Sequence, residues 1–379
     1  MVPGAERYRK GISVLNIGII GCGDVATHSY MPGLQAMADR ANVVAVFDIF
    51  QNRVDDALGF FPNAAPYLDY DAFLGHGPEK MDLVFNLTPA PLHRDITAKA
   101  LEAGYSVYSE KPIASTLGEA AELVALAEEK GLHFFCAPAM MVTGRFMWLK
   151  EFIYSGAIGN PYFIKGQIGG MGPASWRTYS GDPRVFYTPK VGPLVDLGVY
   201  QLHALTGLFG PARTVSAVGG IMNPTRKLLQ PALFGEEIEV QAPDLYSINL
   251  TFDNNRNANL FNTFAMPATK SPMFEIYGSM GTVSIGQHQW FDGNGTTDIY
   301  VRDESESGEA EGWNNDSPVP NPIEASDILG SGILHALDVM ANGTDNVLTA
   351  AHAEHVLEIM LAAGESLKTG DSIEIASSF

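Results

Sequence analysis

Val14-Leu15-Asn16-Ile17-Gly18-Ile19-Ile20-Gly21-Cys22-Gly23-Asp24-Val25-Ala26 is the stretch on which the fold turns. Its first seven residues are rich in β-branched and aliphatic side chains and read as a buried strand. The next six spell Gly-x-Gly-x-x-Ala and open a helix. In that position the pattern has a mechanism: Gly21 permits a tight turn, Gly23 lets the backbone approach a pyrophosphate, and the small Ala26 lets helix and strand pack closely. The N–H groups of the helix start, at Asp24 and Val25, then face an anion. A second strand, Val43 to Phe47, ends at Asp48, 22 residues after Ala26. That is close to the offset of about 20 at which an acid holds the adenosine ribose hydroxyls of a dinucleotide. A carboxylate there repels a 2′-phosphate, and Ile49 to Asn52 bring no cation, so NAD is favoured over NADP. Arg53 keeps NADP open, because its guanidinium is long enough to reach a 2′-phosphate.

Outward from this stretch the first third alternates short β-rich runs with helical patterns, as βαβ units do. Further strands are expected at Leu83 to Leu87, Tyr105 to Tyr108 and Leu132 to Phe135. The best marked helix starts at Thr116, where Thr116 and Glu119 have capping-box spacing, and stops at Lys130-Gly131. After Pro138 the pattern changes. A helix near Phe146 to Tyr154, a strand near Tyr162 to Gln167, a long irregular stretch from Gly169 to Pro193 and a helix from Val195 to Phe209 precede a run of antiparallel strands. These are Thr214 to Val218, Leu245 to Phe252, Ala258 to Phe264, Phe274 to Tyr277 and Thr282 to Ile285, joined at Asn254-Asn255 and at Gly278 to Gly281 by turn chemistry. The acidic stretch Asp303 to Pro322 is expected to be an exposed loop, and helices from about Asp327 to Met340 and Ala350 to Lys368 follow. The expected fold is α/β: an amino-terminal Rossmann domain with a doubly wound parallel sheet, residues 13–137, and a second α/β domain with a largely antiparallel open sheet, residues 138–379.

Composition excludes several classes. The chain has 379 residues, 43 acidic against 23 basic, for a formal charge of -20, so no nucleic-acid partner is expected, since phosphate binding needs clustered Lys and Arg. Cys22 and Cys136 are the two cysteines, too few for a disulfide framework and without metal-site spacing. No run approaches the roughly 18 apolar residues of a membrane span, and the charged amino terminus has no apolar run behind it. A cytoplasmic protein with no membrane partner is the expectation.

Two further motifs sit at strand ends, where ligands bind in a doubly wound sheet: Asn86-Leu87-Thr88-Pro89-Ala90-Pro91-Leu92-His93 and Glu110-Lys111-Pro112. Thr88, Pro89, His93, Glu110 and Lys111 are therefore candidates to line the nicotinamide half of the cleft. With the glycine turn, and with Ser155 to Gly159, Gly192 to Tyr200, Glu275 to Gly281 and Ser366 to Gly370, they make the chain resemble the Gfo/Idh/MocA family of oxidoreductases. That family includes glucose-fructose oxidoreductase, inositol dehydrogenases and dimeric dihydrodiol dehydrogenase. The resemblance implies that Lys111 lies near the substrate hydroxyl and assists proton transfer. It also implies that Asp196 and Tyr200 match a D-x-G-x-[H/Y] pattern whose last residue is the general acid/base. Inositol dehydrogenases carry histidine there, whereas glucose-fructose oxidoreductase and dihydrodiol dehydrogenase carry tyrosine. His203 falls where many histidine-type members have aspartate. A homodimer or homotetramer formed through the second sheet is implied as well.

The residues support this chemistry on their own terms. A lysine beside a tyrosine lowers the phenol pKa toward working pH, as a base for alcohol oxidation requires. Asp196 and Tyr200 are four apart on a helix and share a face. His352, His355 and Glu358 also share a face, but no further ligand accompanies them, so no metal is expected. Trp176, Tyr179, Phe186 and Tyr187, interleaved with Arg177, Asp182, Arg184 and Lys190, crowd the irregular stretch. Aromatic faces with nearby charged groups suit a cyclic polyol, which makes Trp176, Arg177, Phe186 and Tyr187 candidate substrate residues; the alternative is that the aromatics anchor the loop. The function expected is hydride transfer between NAD(P) and a secondary alcohol or ketone of a sugar, polyol or related cyclic alcohol. The alternatives are an NAD-dependent glycoside-cleaving enzyme with tightly held cofactor, a nucleotide-sensing regulator, and a reductase of a non-sugar carbonyl.

Overall fold

A computed structural model describes residues 14–179, 181–189, 191–286, 297–314 and 328–379. Lys190, residue 13, the acidic stretch beyond 314 and the expected helix start at Asp327 lie outside the described residues. The chain divides into two compact units. One holds the described residues up to Val142, those from 328 to 357, and Phe379; the other holds the described residues from 143 to 314 and takes in Glu358–Ser378.

The first unit is built on six parallel strands: β1 (Leu15–Ile20), β2 (Ala41–Phe47), β3 (Ala65–Tyr67), β4 (Leu83–Asn86), β5 (Ser106–Ser109) and β6 (Phe134–Cys136), in the order β3-β2-β1-β4-β5-β6. Strand β1 is buried along nearly its whole length, as its unbroken apolar run requires when both faces of a sheet are covered. Ile20 pairs with Phe47 on one side and Asn86 on the other, which brings the carboxyl ends of β1, β2 and β4 into line. The strand order reverses between β1 and β4, the place where doubly wound sheets bind ligands. Helices α1 (Met31–Ala36), α2 (Gln51–Phe60), α3 (Tyr70–Leu74), α4 (His93–Glu102) and α5 (Leu117–Lys130) alternate with the strands. The capping box of α5 is formed reciprocally by Thr116 and Glu119, and Gly131 stops the helix at φ 62°. Residues 328–357 return to this unit, although the pattern of the sequence closes the first domain at 137. The reason is packing: a Cβ on Gly33 would stand 2.9 Å from Ile333 Cδ1, Arg40 bonds Asp338 at 2.5 Å, and the Cys136 N–H donates to the Leu348 carbonyl.

The second unit carries a nine-stranded sheet. Its strands are β7 (Pro161–Gly169), β8 (Ala212–Gly220), β11 (Leu245–Phe252), β12 (Asn257–Thr263), β13 (Phe274–Gly278), β14 (Gly281–Ile285), β15 (Thr297–Val301), β16 (Gly312–Asn314) and β17 (Ile373–Glu374); the hairpin of β9 (Thr225–Lys227) and β10 (Glu237–Glu239) stands apart. The order is β16-β15-β14-β13-β7-β12-β11-β8-β17, antiparallel except between β7 and β12. Asn254 and Asn255 adopt positive φ in the β11–β12 turn, where asparagine is tolerated. Strands β9 and β10 were not legible in the sequence, because three-residue segments with a single inward side chain each, Arg226 and Ile238, have no alternation to detect. No helix among the described residues is long and apolar enough to cross a membrane.

Candidate active site

The glycine turn is fixed by close approach. Gly21 takes φ 87°, and a Cβ there would stand 3.0 Å from the Leu87 carbonyl and the Thr88 nitrogen, so the turn after β1 lies directly against the turn after β4. Gly23 differs: the nearest heavy atom to its would-be Cβ is Arg53 Nη1 at 4.0 Å, which leaves its backbone open to a ligand. A helical run begins at Asp24, with one wide turn at Ala26–Tyr30; Ala26 is fully buried, while Asp24 and Val25 are exposed at the helix start.

Asp48 is 4% exposed, yet its carboxylate is well supplied with donors. Its Oδ2 accepts the Cys22 N–H at 2.9 Å and its Oδ1 accepts the Phe50 N–H at 3.0 Å. Arg53 Nη1 stands 3.7 Å from Oδ2 while its guanidinium lies 5.0 Å from the centre of the Phe50 ring. Each carboxylate oxygen accepts one backbone N–H and has a second lone pair. Burial, reinforced by the Asp48 charge, pushes the Cys22 thiol up to about 12.

At the ends of β4 and β5 the side chains bind one another's loops. Asn86, fully buried, accepts the Thr88 hydroxyl at 2.6 Å and donates to Thr97 Oγ1 at 3.0 Å. His93 is buried, with Nδ1 2.6 Å from the Pro112 carbonyl and Nε2 2.8 Å from the Thr88 carbonyl. Glu110, 8% exposed, accepts the Tyr30 hydroxyl at 2.7 Å and the Lys111 N–H at 2.9 Å. Burial and the Glu110 charge hold the Tyr30 phenol well above its ordinary pKa, so it stays a donor. Thr88, Pro89, Glu110 and Lys111 thus occupy two neighbouring turns that these bonds hold. Tyr30 carries no motif, and its part in the site was invisible in the sequence.

In the second unit, Leu194–Gly198 forms a wide helical turn that runs into the helix Val199–Phe209. Such turns are frequent at functional sites. Asp196 and Tyr200 are both half-buried there. Gly198 makes the turn possible, since a Cβ would stand 2.7 Å from Leu194 Cδ1 and 3.0 Å from Asn262 Oδ1. His203 is 2% exposed, and its Nδ1 lies 2.9 Å from the Val199 carbonyl of its own helix. His352 lies against the Phe379 ring, with ring centres 3.8 Å apart. Among the described residues no group of three or more His, Cys, Asp or Glu could hold a metal ion.

The irregular stretch splits into two kinds of aromatic. Tyr187 is 2% exposed, its hydroxyl accepts the Ala174 N–H at 3.0 Å, and it packs in a cluster with Ala174, Leu228, Ile238, Val240 and Phe264. The Arg226 guanidinium lies over its ring and bonds the buried Asp244 at 2.6 Å. Tyr187 therefore takes the anchoring part. Trp176, Tyr179 and Phe186 instead meet edge to face, with ring centres about 6 Å apart, and Trp176 is 40% exposed. Arg184 is paired with Asp182 and Glu236, whereas Arg177 is exposed.

Comparison with known proteins agrees with both units. Residues 15–137 match the model of the oxidoreductase family with an NAD-binding Rossmann fold, and residues 146–284 match the GFO/IDH/MocA C-terminal domain. A protein of Saccharomyces cerevisiae without assigned function is 28% identical over 72% of this chain and 74% of its own. The dTDP-3,4-didehydro-2,6-dideoxy-alpha-D-glucose 3-reductase of Streptomyces violaceoruber is 29% identical over 54% of this chain and 57% of its own; apart from the yeast protein, the chain spans a little over half the length of the first curated relatives. Among solved structures, a levoglucosan dehydrogenase in complex with NADH and levoglucosan superposes with a TM-score of 0.80 at 19% identity, covering 96% of this chain and 100% of that one. An Agrobacterium radiobacter oxidoreductase in complex with NAD+, L-tartaric acid and magnesium gives 0.76 at 20%, covering 96% and 99%.

Proposed function

The chain belongs to the Gfo/Idh/MocA family of oxidoreductases, with an NAD-binding Rossmann domain, and we propose that it transfers hydride between NAD and a secondary alcohol or ketone of a sugar or polyol. The observation that carries the cofactor half is the 3.0 Å approach of Gly21 to Leu87 and Thr88, beside the open backbone of Gly23. A side chain at Gly21 would fill that junction; the Gly21 and Cys22 N–H groups are given to the Phe47 carbonyl and the buried Asp48, so a pyrophosphate would meet the backbone from Gly23 onward. Gly21, Gly23, Asp24, Val25 and Ala26 would hold the phosphates, Asp48 the ribose, and the Thr88-Pro89 and Glu110-Lys111 turns the nicotinamide end. Bound NAD supplies the hydride acceptor.

The protein supplies the proton chemistry. In this reading Tyr200 takes the substrate hydroxyl proton, Lys111 lowers the pKa of the phenol by its charge, and Asp196 orients the tyrosine. The substrate class is supported by the exposed Trp176 face, beside Phe186 and Arg177, since aromatic faces cover the apolar side of a pyranose ring. It is supported also by relatives named for work on sugars, among them the dTDP-sugar 3-reductase and a D-apiose dehydrogenase. A screen of cofactor reduction with NAD and NADP over sugars, polyols, sugar acids and dihydrodiols tests the reading. Turnover restricted to dihydrodiols would overturn the substrate class. Release of a sugar from a glycoside, with cofactor retained and unchanged at the end, would overturn net hydride transfer.

A further inference from the structure

The His93 ring lies between two carbonyl oxygens that belong to different loops. Pro112 O, 2.6 Å from Nδ1, closes the Glu110-Lys111-Pro112 turn after β5; Thr88 O, 2.8 Å from Nε2, belongs to the turn after β4. The ring is 1% exposed and sits at the first position of α4. Both ring nitrogens are thus turned to protein carbonyls, which leaves the imidazole poorly placed to touch a cofactor.

The surroundings make this contact stiff. Asn86 Nδ2 lies 3.3 Å from the His93 carbonyl and 3.0 Å from Thr97 Oγ1, while Asn86 Oδ1 accepts the Thr88 hydroxyl. The Thr88 turn is therefore held from both its side chain and its carbonyl. On the other loop, Glu110 is fixed by Tyr30 and by the Lys111 N–H, so Lys111 stands between one residue anchored through Glu110 and one anchored through His93. A neutral imidazole donates one hydrogen bond and a protonated one donates two. The charged groups acting on the ring are Glu110, which favours the second proton, and Lys111, which opposes it. Burial outweighs the rest and holds the ring below the ordinary histidine pKa.

We propose that His93 is a positioning residue for proton transfer: wedged between the Thr88 and Pro112 carbonyls, it sets the backbone that carries Lys111. This rests on the reading that Lys111 acts in the reaction, and the test separates the two. On a substrate found by the cofactor screen, His93→Ala should lower kcat by about 10- to 100-fold, the cost of a slightly misplaced catalytic group, with KM and NAD affinity changed less than threefold. His93→Gln, which keeps a buried donor, should recover part of the loss, and it carries the comparison if the alanine variant does not fold. The decisive arm is the double variant. If His93 acts through Lys111, adding His93→Ala or His93→Gln to Lys111→Ala should cost no further rate. Full multiplication of the two losses, or a normal kcat in a folded His93 variant, overturns the positioning role. A normal rate for Lys111→Ala alone overturns the functional reading instead.

Discussion

The carboxylate of Asp48 accepts the N–H of Cys22 at 2.9 Å, so the acid that ends β2 is tied to the glycine turn that follows β1. One side chain thereby shapes the glycine turn and, on the proposed reading, also holds the adenosine ribose. Arg53, 3.7 Å from the same oxygen, is held back by that charge. Asp48→Ser should lower NAD affinity by about 10- to 100-fold, the worth of a charged hydrogen bond. NADP use should improve, because the repulsion goes and Arg53 is released toward a 2′-phosphate. Titration of wild type and variant with both cofactors measures this, and tighter wild-type binding of NADP than NAD would contradict it.

The glycine turn, Asp48 and the parallel sheet were legible because each has a local signature: spacing for the turn, an offset for the acid, buried apolar runs for the strands. The return of 328–357 to the first unit was not, since a helix carries no mark of which unit its apolar face will meet. Tyr187 shows the same limit on the scale of one side chain. In the sequence it is one of four aromatics in a loop; its burial in a cluster, the Ala174 N–H on its hydroxyl and the Arg226 guanidinium over its ring separate it from Trp176.

Lys111 and Tyr200 are expected to act as one proton-transfer unit. Each of Lys111→Ala and Tyr200→Phe should reduce kcat by about 10²- to 10⁴-fold with NAD affinity largely kept, the range for loss of a general acid/base. The double variant should lose less than the product of the two. A near-normal rate for Tyr200→Phe would move the base elsewhere, and His203, whose Nδ1 already faces its own helix, would be a poor replacement.

The two kinds of loop aromatic should separate experimentally. Trp176→Ala removes an exposed ring and should raise KM several-fold with the melting temperature nearly unchanged, since exposed substitutions cost little stability. Tyr187→Ala empties a core position and should cost about 3–5 kcal/mol. An unchanged KM in Trp176→Ala and also in Phe186→Ala would remove the loop from substrate recognition.

Cys22 lies inside the glycine turn, yet it should be unreactive. Alkylation needs the thiolate, and with the thiol pushed up to about 12, only about one molecule in ten thousand carries it at pH 8. Iodoacetamide at pH 8 should leave the folded protein unlabelled and label both cysteines after unfolding. The stability consequence has a definite sign. The folded state keeps its proton to a higher pH than the unfolded chain, so stability falls as pH rises from about 9 toward 12. Rapid native labelling of Cys22 would show that the turn opens.

The buried Arg226–Asp244 pair is expected to hold the second unit's loop in place. Asp244 is 1% exposed, its carboxylate accepts the Met222 and Asn223 N–H groups at 2.6 and 3.1 Å, and Arg226 bonds it at 2.6 Å while lying over Tyr187. Removing one partner leaves the other charge buried without compensation, which costs about 3–5 kcal/mol, whereas replacing both by apolar groups of similar volume is often neutral. Asp244→Ala should therefore be strongly destabilising, and Arg226→Met combined with Asp244→Leu less so. The comparison is not a pure exchange, because the two backbone donors at Met222 and Asn223 also lose their acceptor in the double variant. Chemical denaturation of both variants measures the difference. If the double variant were no more stable than Asp244→Ala, the carboxylate would matter chiefly as the acceptor for that turn, and the guanidinium over Tyr187 would be incidental to stability.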